Sequence, residues 1–363
     1  VDRWEAIVMT DPDIEIAEKA WARAGDLYFQ AEQYPEAKRC YQGLLENFAG
    51  SSSAALGLLR IAQCDYNAGR DADALAGFSE VANRYPGGPM SREAERGMEM
   101  ALYRLGQKDG GVEQLAQLVE RYPTSSFAAD AQFQIAKNMY EQDRYLDAAD
   151  EFRRVVSQFP GYSAADRAQF LMGEAYASAD DKLQAQQAFE QFLVFFGDSE
   201  LRTTVRFRLG MIYFGQEEYF RAATNFTDVL EREPDSDMAK ASLYNLALSR
   251  RLMGSNAEAA LDFTRYQERY PGDERAAEVA YQLGDIHELA GRNDQAIAAL
   301  EQALAAGPEA SLRIEISYRL GVCREKTGDR EGALKAYAQA AAGKQKSDPF
   351  RLSAIARSAG LHE

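Results

Sequence analysis

The most restrictive feature of this sequence is a pattern that recurs every 37 residues without slippage. A small residue marks each unit, a large apolar residue follows it after four positions, and proline usually follows it after twelve. The small residues are Ala37, Ala74, Gly111, Ala148, Ala185, Ala222, Ala259, Ala296 and Ala333. The large residues are Tyr41, Phe78, Leu115, Phe152, Phe189, Phe226, Phe263, Leu300 and Tyr337. Such an interval indicates an array of similar structural units.

Each unit is predicted to contain two helices. Residues four positions apart lie on one face of a helix, and proline ends the second helix of the unit. A glycine follows an apolar residue in the first helix, as at Leu209-Gly210 and Leu320-Gly321. Small residues on both helices allow their axes to approach closely. A helical pair cannot bury its apolar face alone, so we predict an all-α solenoid of stacked pairs.

These columns resemble the tetratricopeptide repeat, whose pattern combines an aromatic residue, Leu-Gly, Tyr, Ala, a large apolar residue and Pro. The Tyr-Pro ending of several units, as at Tyr122-Pro123, is similar to a subgroup of bacterial envelope proteins. That subgroup includes the Tol-Pal coordinator and the outer-membrane barrel-assembly lipoprotein. The resemblance implies a right-handed superhelical solenoid that binds proteins or peptides, with a periplasmic or envelope-associated location.

The register also predicts how the chain is divided. Projected backwards, it places Trp4 in the large-apolar column, so residues 1–12 are interpreted as the end of a preceding repeat. An unrelated N-terminal capping helix is the alternative. Residues 13–345 are predicted to form nine repeats, and residues 346–363 a C-terminal capping helix. Glycine-rich residues 87–111 are either a soft joint or a defect that neighbouring packing absorbs.

Composition argues against several classes of function. A net charge of −16 is unfavourable for nucleic-acid binding, and no apolar run approaches the roughly 20 residues that span a membrane. With His287 and His362 as the only histidines, and no phosphate-binding or CxxC motif, we predict no enzyme, cofactor or metal site. Cys40, Cys64 and Cys323 are predicted to be buried thiols, with a Cys40–Cys64 bridge as the alternative.

In the family the first helices line the concave face, and two aromatic columns fall on them. One column runs through Ala22, Leu59, Arg96, Phe133, Phe170, Phe207, Tyr244, Tyr281 and Tyr318, and is aromatic from Phe133 onwards. The other contains Phe29, Tyr66, Tyr103, Tyr140 and Phe214. These columns predict a groove for an extended or helical peptide, and packing between repeats is the alternative.

Polarity changes towards the C-terminal end of this groove. Glu278, Asp285 and Glu315 are predicted to surround Tyr281 and Tyr318. Aromatic faces and carboxylates both attract cations, so this end is expected to bind a basic partner segment.

A second candidate surface lies on the second helices. Most repeats carry a polar pair near the end of this helix, such as Glu231-Arg232, but repeat 5 has Val194-Phe195. The apolar pair predicts a contact patch, including self-association, with local repacking as the alternative.

The leading functional hypothesis is a non-enzymatic scaffold that binds partner proteins in a multi-protein assembly of the bacterial cell envelope. Envelope placement follows from the resemblance. One alternative is the repeat arm of a larger envelope enzyme, such as a glycosyltransferase or a peptidoglycan-acting protein. Another is a cytoplasmic adaptor.

Overall fold

A computed structural model describes residues 14–108 and 110–362. This part of the chain contains nineteen α-helices and no β-strand, which confirms the predicted all-α class. The helices are α1 Ile14–Gln30, α2 Tyr34–Phe48, α3 Ala54–Asn67, α4 Asp71–Arg84, α5 Pro89–Gly106, α6 Val112–Arg121, α7 Ala128–Glu141, α8 Tyr145–Gln158, α9 Ala165–Ser178, α10 Lys182–Phe195, α11 Arg202–Gly215, α12 Tyr219–Arg232, α13 Asp237–Leu252, α14 Asn256–Arg269, α15 Ala276–Leu289, α16 Asn293–Ala305, α17 Ala310–Lys326, α18 Arg330–Ala341 and α19 Pro349–His362. The predicted partial repeat at residues 1–12, with Trp4, lies outside the described residues.

The chain divides into two compact units, Val1–Ala188 and Phe189–Glu363. In the first unit each helix from α1 to α9 packs against the next, and the first helices α3 and α5 also touch. In the second unit the same succession runs from α11 to α19, and the first helices α11 and α13 touch. Helical pairs therefore stack in chain order within each unit, as a solenoid requires.

A close crossing between small and large residues holds each pair together. A Cβ added to Gly210 would lie 2.6 Å from Cε1 of Phe226, which is fully buried. A Cβ added to Gly321 would lie 2.5 Å from Cε1 of Tyr337. The glycine of the first helix therefore leaves the space that the ring of the second helix fills.

The third repeat differs from its neighbours in one helix. The second helix α6 begins at Val112 and has 10 residues, whereas α4 and α8 have 14 each. Gly110 and Gly111 precede α6 and lie outside it. A Cβ on Gly111 would lie 2.3 Å from the Leu105 carbonyl oxygen, so the chain needs glycine there.

The final helix α19 packs against α17 and α18. The Tyr318 ring centroid lies 5.7 Å from that of Phe350 and 6.0 Å from that of Tyr337. Arg357 of α19 pairs with Glu325 of α17 at 3.0 Å. The helix thus covers part of the apolar face of the last pair.

Asp273 joins two successive repeats of the second unit. Its carboxylate accepts hydrogen bonds from the Tyr266 hydroxyl at 2.8 Å, Lys240 Nζ at 2.8 Å and the Arg275 backbone N–H at 3.0 Å. Burial opposes its ionisation, but these hydrogen bonds prevail and lower the pKa of Asp273 to about 2. One carboxylate therefore holds α13, α14 and the start of α15 together.

The close contact between Gly210 and Phe226 predicts that alanine changes the free energy of unfolding in opposite directions at two positions of α11. Gly210→Ala places a methyl group against Phe226 and should lower the free energy of unfolding by about 1–3 kcal/mol. Gly215→Ala meets no atom within 4 Å and should stabilise by up to about 0.5 kcal/mol. Urea denaturation followed by circular dichroism measures both. Equal upward shifts of the two midpoints would show that the crossing is not close.

Asp273 predicts a stability contribution that depends on pH. Because its folded pKa is depressed, the contribution is present above the unfolded pKa near 4 and is lost as pH falls from about 4 to about 2. Asp273→Asn should therefore cost about 2 kcal/mol at pH 7 and much less at pH 2.5. Denaturation of both proteins at each pH gives the difference. A difference that stays constant with pH would contradict the ionic role of Asp273.

Candidate partner-binding site

The first predicted aromatic column contributes mainly to packing within the array. Phe133 is 6% exposed and Tyr244 is 8% exposed. Their ring centroids lie 5.6 Å from Phe152 and 6.4 Å from Phe263, the large residues of the adjoining second helices. Phe133 and Tyr244 are therefore buried against the second helix of their own repeat. The column members that remain half-buried are Phe170, Phe207, Tyr281 and Tyr318.

The second predicted column is more accessible. Tyr140 and Phe214 are half-buried, as are Phe29 and Tyr66. Tyr140 meets Tyr145 edge-on with ring centroids 5.3 Å apart. These aromatic residues therefore keep some area available to a ligand.

The predicted acidic end is compensated by the protein's own basic residues. Arg319 lies 3.1 Å from Glu315, 2.7 Å from Asp285 and 3.2 Å from Glu288. Its guanidinium carbon also lies 5.7 Å from the centroid of the Tyr281 ring, the position expected for a partner's cation. Asp285, Glu288 and Glu315 are therefore paired with an arginine of the protein itself.

Other contacts complete this compensation. Arg251 forms a second ion pair with Asp285, and Glu278 is hydrogen-bonded to the Tyr244 hydroxyl. The Tyr281 hydroxyl donates to Glu315 at 2.6 Å. Burial, followed by this hydrogen bond, raises the pKa of Tyr281 well above its ordinary value. The structural basis for predicting a basic ligand here is thus removed.

Val194 and Phe195 are exposed, as the sequence predicted for a surface pair. Their exposed fractions are 76% and 70%, whereas Phe192 on the same helix is fully buried. Beyond the end of α10, Arg202 Nη1 donates to the Gly197 carbonyl at 3.1 Å. Gly197 occupies the proline column, and its carbonyl is satisfied by this arginine.

A pocket of about 390 Å³ lies on three successive first helices of the first unit. We call it the first-helix pocket. Phe29 lines it from α1, Arg60 and Tyr66 from α3, and Arg96 and Met100 from α5. The fully packed ring of Phe78 also lines it, from the second helix α4. The 37-residue register brings these side chains together because it stacks equivalent positions of α1, α3 and α5.

The polar groups of this pocket are unequally satisfied. Arg60 Nη1 donates to Gln63 Oε1 at 2.8 Å, and Gln63 Nε2 donates to Glu93 at 2.7 Å. Arg60 also lies 5.5 Å from the Phe29 ring centroid and 3.9 Å from Asp26, but its buried Nε has no hydrogen-bond acceptor.

Arg96 differs from these groups because it is exposed and forms no ion pair with the described residues. Met100, one helical turn later on α5, is 40% exposed. The pocket therefore combines apolar walls with an uncompensated guanidinium group.

Sequence reasoning identified part of this pocket. Phe29 and Tyr66 belong to the second predicted column, but the residues predicted to bind a partner start at Phe133. Arg96 follows Ala22 and Leu59 in the first column, where the column is not aromatic, so the pattern did not single it out. Met100 lies outside both columns, so the periodic pattern did not find it.

The described residues contain no group of three or more His, Cys, Asp or Glu side chains placed to hold a metal ion. None of their helices combines the length and apolar character that a membrane crossing requires. Cys40, Cys64 and Cys323 are buried thiols, so the predicted alternative of a Cys40–Cys64 bridge is not formed. Burial raises the pKa of Cys64 to about 12, which disfavours its reactive thiolate.

Solved structures with a similar fold include YrrB, described as a TPR protein with an unusual peptide-binding site. Its TM-score is 0.45 at 17% identity, covering 55% of this chain and 96% of that chain. For PilW, a type IV pilus biogenesis factor, the TM-score is 0.41 at 16% identity, and the match covers 64% of this chain and 100% of that chain. For a tetratricopeptide repeat protein from Parabacteroides merdae the TM-score is 0.38 at 12% identity, and the match covers 79% of this chain and 99% of that chain. At these values the likeness is one of fold alone.

Among curated proteins no significant relative was found. The family model of the outer membrane lipoprotein YfiO matches residues 105–213. The tetratricopeptide-repeat model matches residues 22–89, 207–274, 244–311 and 281–349, which together make up more than half of the 363 residues. The chain therefore belongs to the tetratricopeptide-repeat family.

Proposed function

We propose that this protein is a non-enzymatic scaffold that holds segments of partner proteins on the face formed by its first helices. The first-helix pocket is the observation that carries this proposal. It offers three rings, a half-exposed methionine and polar groups within one concavity of about 390 Å³. A volume in this range suits one or two side chains, which is how a scaffold anchors a segment of another chain.

The first-helix pocket is a better anchor than the C-terminal acidic end. At the acidic end Arg319 already occupies the position over Tyr281 and pairs with three carboxylates. A basic ligand would have to displace this arginine, which would then lose its carboxylate partners. We therefore place the principal partner contact in repeats 1–3.

We also propose that the scaffold acts in a multi-protein assembly of the bacterial cell envelope. The match of residues 105–213 to an outer membrane lipoprotein family supports this placement. So do the Tyr-Pro endings that the sequence shares with envelope repeats.

Binding at the pocket predicts a local loss of affinity. Tyr66→Ala should weaken capture of the partner at least tenfold, because truncating a ring at the centre of a contact commonly costs about 2 kcal/mol. The partner is first identified by photo-crosslinking from a benzophenone residue at Met100, with the more exposed Leu261 of α14 as the control position. Leu261 is 71% exposed and lies outside the pocket.

Isothermal titration with the purified partner then compares the wild type, Tyr66→Ala and Leu261→Ala. Crosslinking from Met100 together with a selective loss in Tyr66→Ala is the expected result. A partner that crosslinks equally from Leu261 and binds Tyr66→Ala normally would refute the proposed site.

The envelope placement predicts where the full-length gene product is found. Fractionation of cells that express it at its native level should recover it in the periplasmic or membrane fraction. Recovery with cytosolic markers would favour the cytoplasmic adaptor.

Val194 and Phe195 are proposed as a second contact surface, used in self-association. Replacing them with Glu and Arg should leave the Tm nearly unchanged, because both side chains are already exposed. The same change should reduce association in sedimentation velocity experiments. Phe192→Arg is the matched control, since Phe192 is buried on the same helix and its replacement should destabilise the fold. A large fall in Tm for the exposed pair would place it in the core.

A further inference from the structure

The chemistry of the first-helix pocket indicates which class of segment it binds. We propose that the pocket recognises an acidic segment, in which a side-chain carboxylate stands beside an aliphatic or aromatic residue. This inference rests on the proposed function, because it names the ligand of the same site.

The pocket walls are expected to bind the apolar side chain of the partner segment. Phe29 and Tyr66 are half-buried, Phe78 is buried, and Met100 is 40% exposed. A methionine can adjust to side chains of different shape, and aromatic walls contribute strongly to binding energy. An apolar side chain of the partner would cover Met100 and exclude water from the rings.

The charge of the expected ligand is inferred from which charged groups near the pocket already have partners. Glu93 accepts from Gln63 at 2.7 Å, and Asp26 accepts from the Tyr41 hydroxyl at 2.7 Å while lying 3.9 Å from Arg60. Asp26 is thus engaged within the protein, and Glu93 is the one carboxylate among the residues that line the pocket. The two arginines of the lining, Arg60 and Arg96, outnumber it.

Two cations near the pocket, Arg104 and Lys108, share one carboxylate of α4. Arg104 stacks 3.9 Å from the Tyr66 ring centroid and pairs with Asp71. Lys108 also pairs with Asp71, at 2.8 Å. Asp71 is buried, so its charge is directed to these two cations and not to the pocket opening.

Arg96 is a charged residue of the pocket without an ion-pair partner among the described residues. It is exposed, lines the pocket, and has no ion pair within the described part of the chain. Arg60 lines the same pocket and has a buried Nε without an acceptor. A guanidinium group binds a carboxylate in a planar, two-point arrangement, so the complementary ligand group is a carboxylate.

The net charge of the chain limits where an acidic segment can bind. The whole chain has a net charge of −16, so its average field repels acidic partners. An acidic segment is therefore held only where a local cation and an apolar cavity occur together. Arg96 beside Met100 provides this combination.

The test uses two fluorescein-labelled peptides with blocked ends, so that carboxylates come only from side chains. One has the sequence Ser-Glu-Leu-Phe-Glu-Ser, and the other has lysine in place of both glutamates. Fluorescence anisotropy at about 50 mM salt compares the complete chain with Arg96→Glu, Arg96→Lys and Arg167→Glu. Arg167 is an exposed arginine of the first helix α9 outside the pocket, so its variant matches the change in net charge.

The acidic peptide should bind the wild type at least tenfold more tightly than the basic peptide. Arg96→Glu should reverse this order, Arg96→Lys should keep it, and Arg167→Glu should leave both affinities within twofold of the wild type. Tighter binding of the basic peptide to the wild type, or equal effects of Arg96→Glu and Arg167→Glu, would overturn the inference. So would binding that requires a free C-terminal carboxylate, measured with an unblocked acidic peptide.

The outcomes separate this inference from the proposed function. If the natural partner crosslinks from Met100 but binds Arg96→Glu unchanged, the acidic specificity is refuted and the scaffold function stands. If neither peptide binds and nothing crosslinks from Met100, the proposed site itself is refuted.

Discussion

The structure depends on the close crossing of the two helices in each repeat. A small residue on the first helix faces a ring on the second, as Gly210 faces Phe226 and Gly321 faces Tyr337. Because this contact leaves no spare volume, it fixes the register between the helices of a pair. The register in turn sets which side chains line up on neighbouring first helices. The first-helix pocket therefore follows from the same contact that stabilises the fold.

The sequence predicted the fold well because each structural requirement recurs. The columns that begin at Ala37 and Tyr41 constrain every pair in the same way, so one exception hardly disturbs the pattern. It predicted the binding surface less well, because a column shows one residue per repeat and not its neighbours on other helices. Arg319 stands one residue after Tyr318, outside the acidic columns, and its pairing with Asp285 depends on the stacking of α15 and α17. Such compensation is visible only in three dimensions.

The proposed contact residues lie at positions that the aromatic columns do not single out. Arg96 follows Ala22 and Leu59 in the first column and contributes to the first-helix pocket a guanidinium group that has no ion pair within the described part of the chain. Val194 and Phe195 replace a polar pair and are exposed. In contrast, Phe133 and Tyr244 match the aromatic pattern of their column and are buried. Such recurring positions take part in the packing that every repeat shares. The proposed contacts therefore use positions outside the packing that every repeat shares.

We propose that a partner segment lies across the first helices of repeats 1–3. Amide hydrogen exchange of the full chain, measured with and without its purified partner, tests this contact. Exchange is expected to slow in α1, α3 and α5 when the partner is bound, with little change in α15 and α17. Protection limited to α15 and α17, with α1, α3 and α5 unaffected, would contradict it.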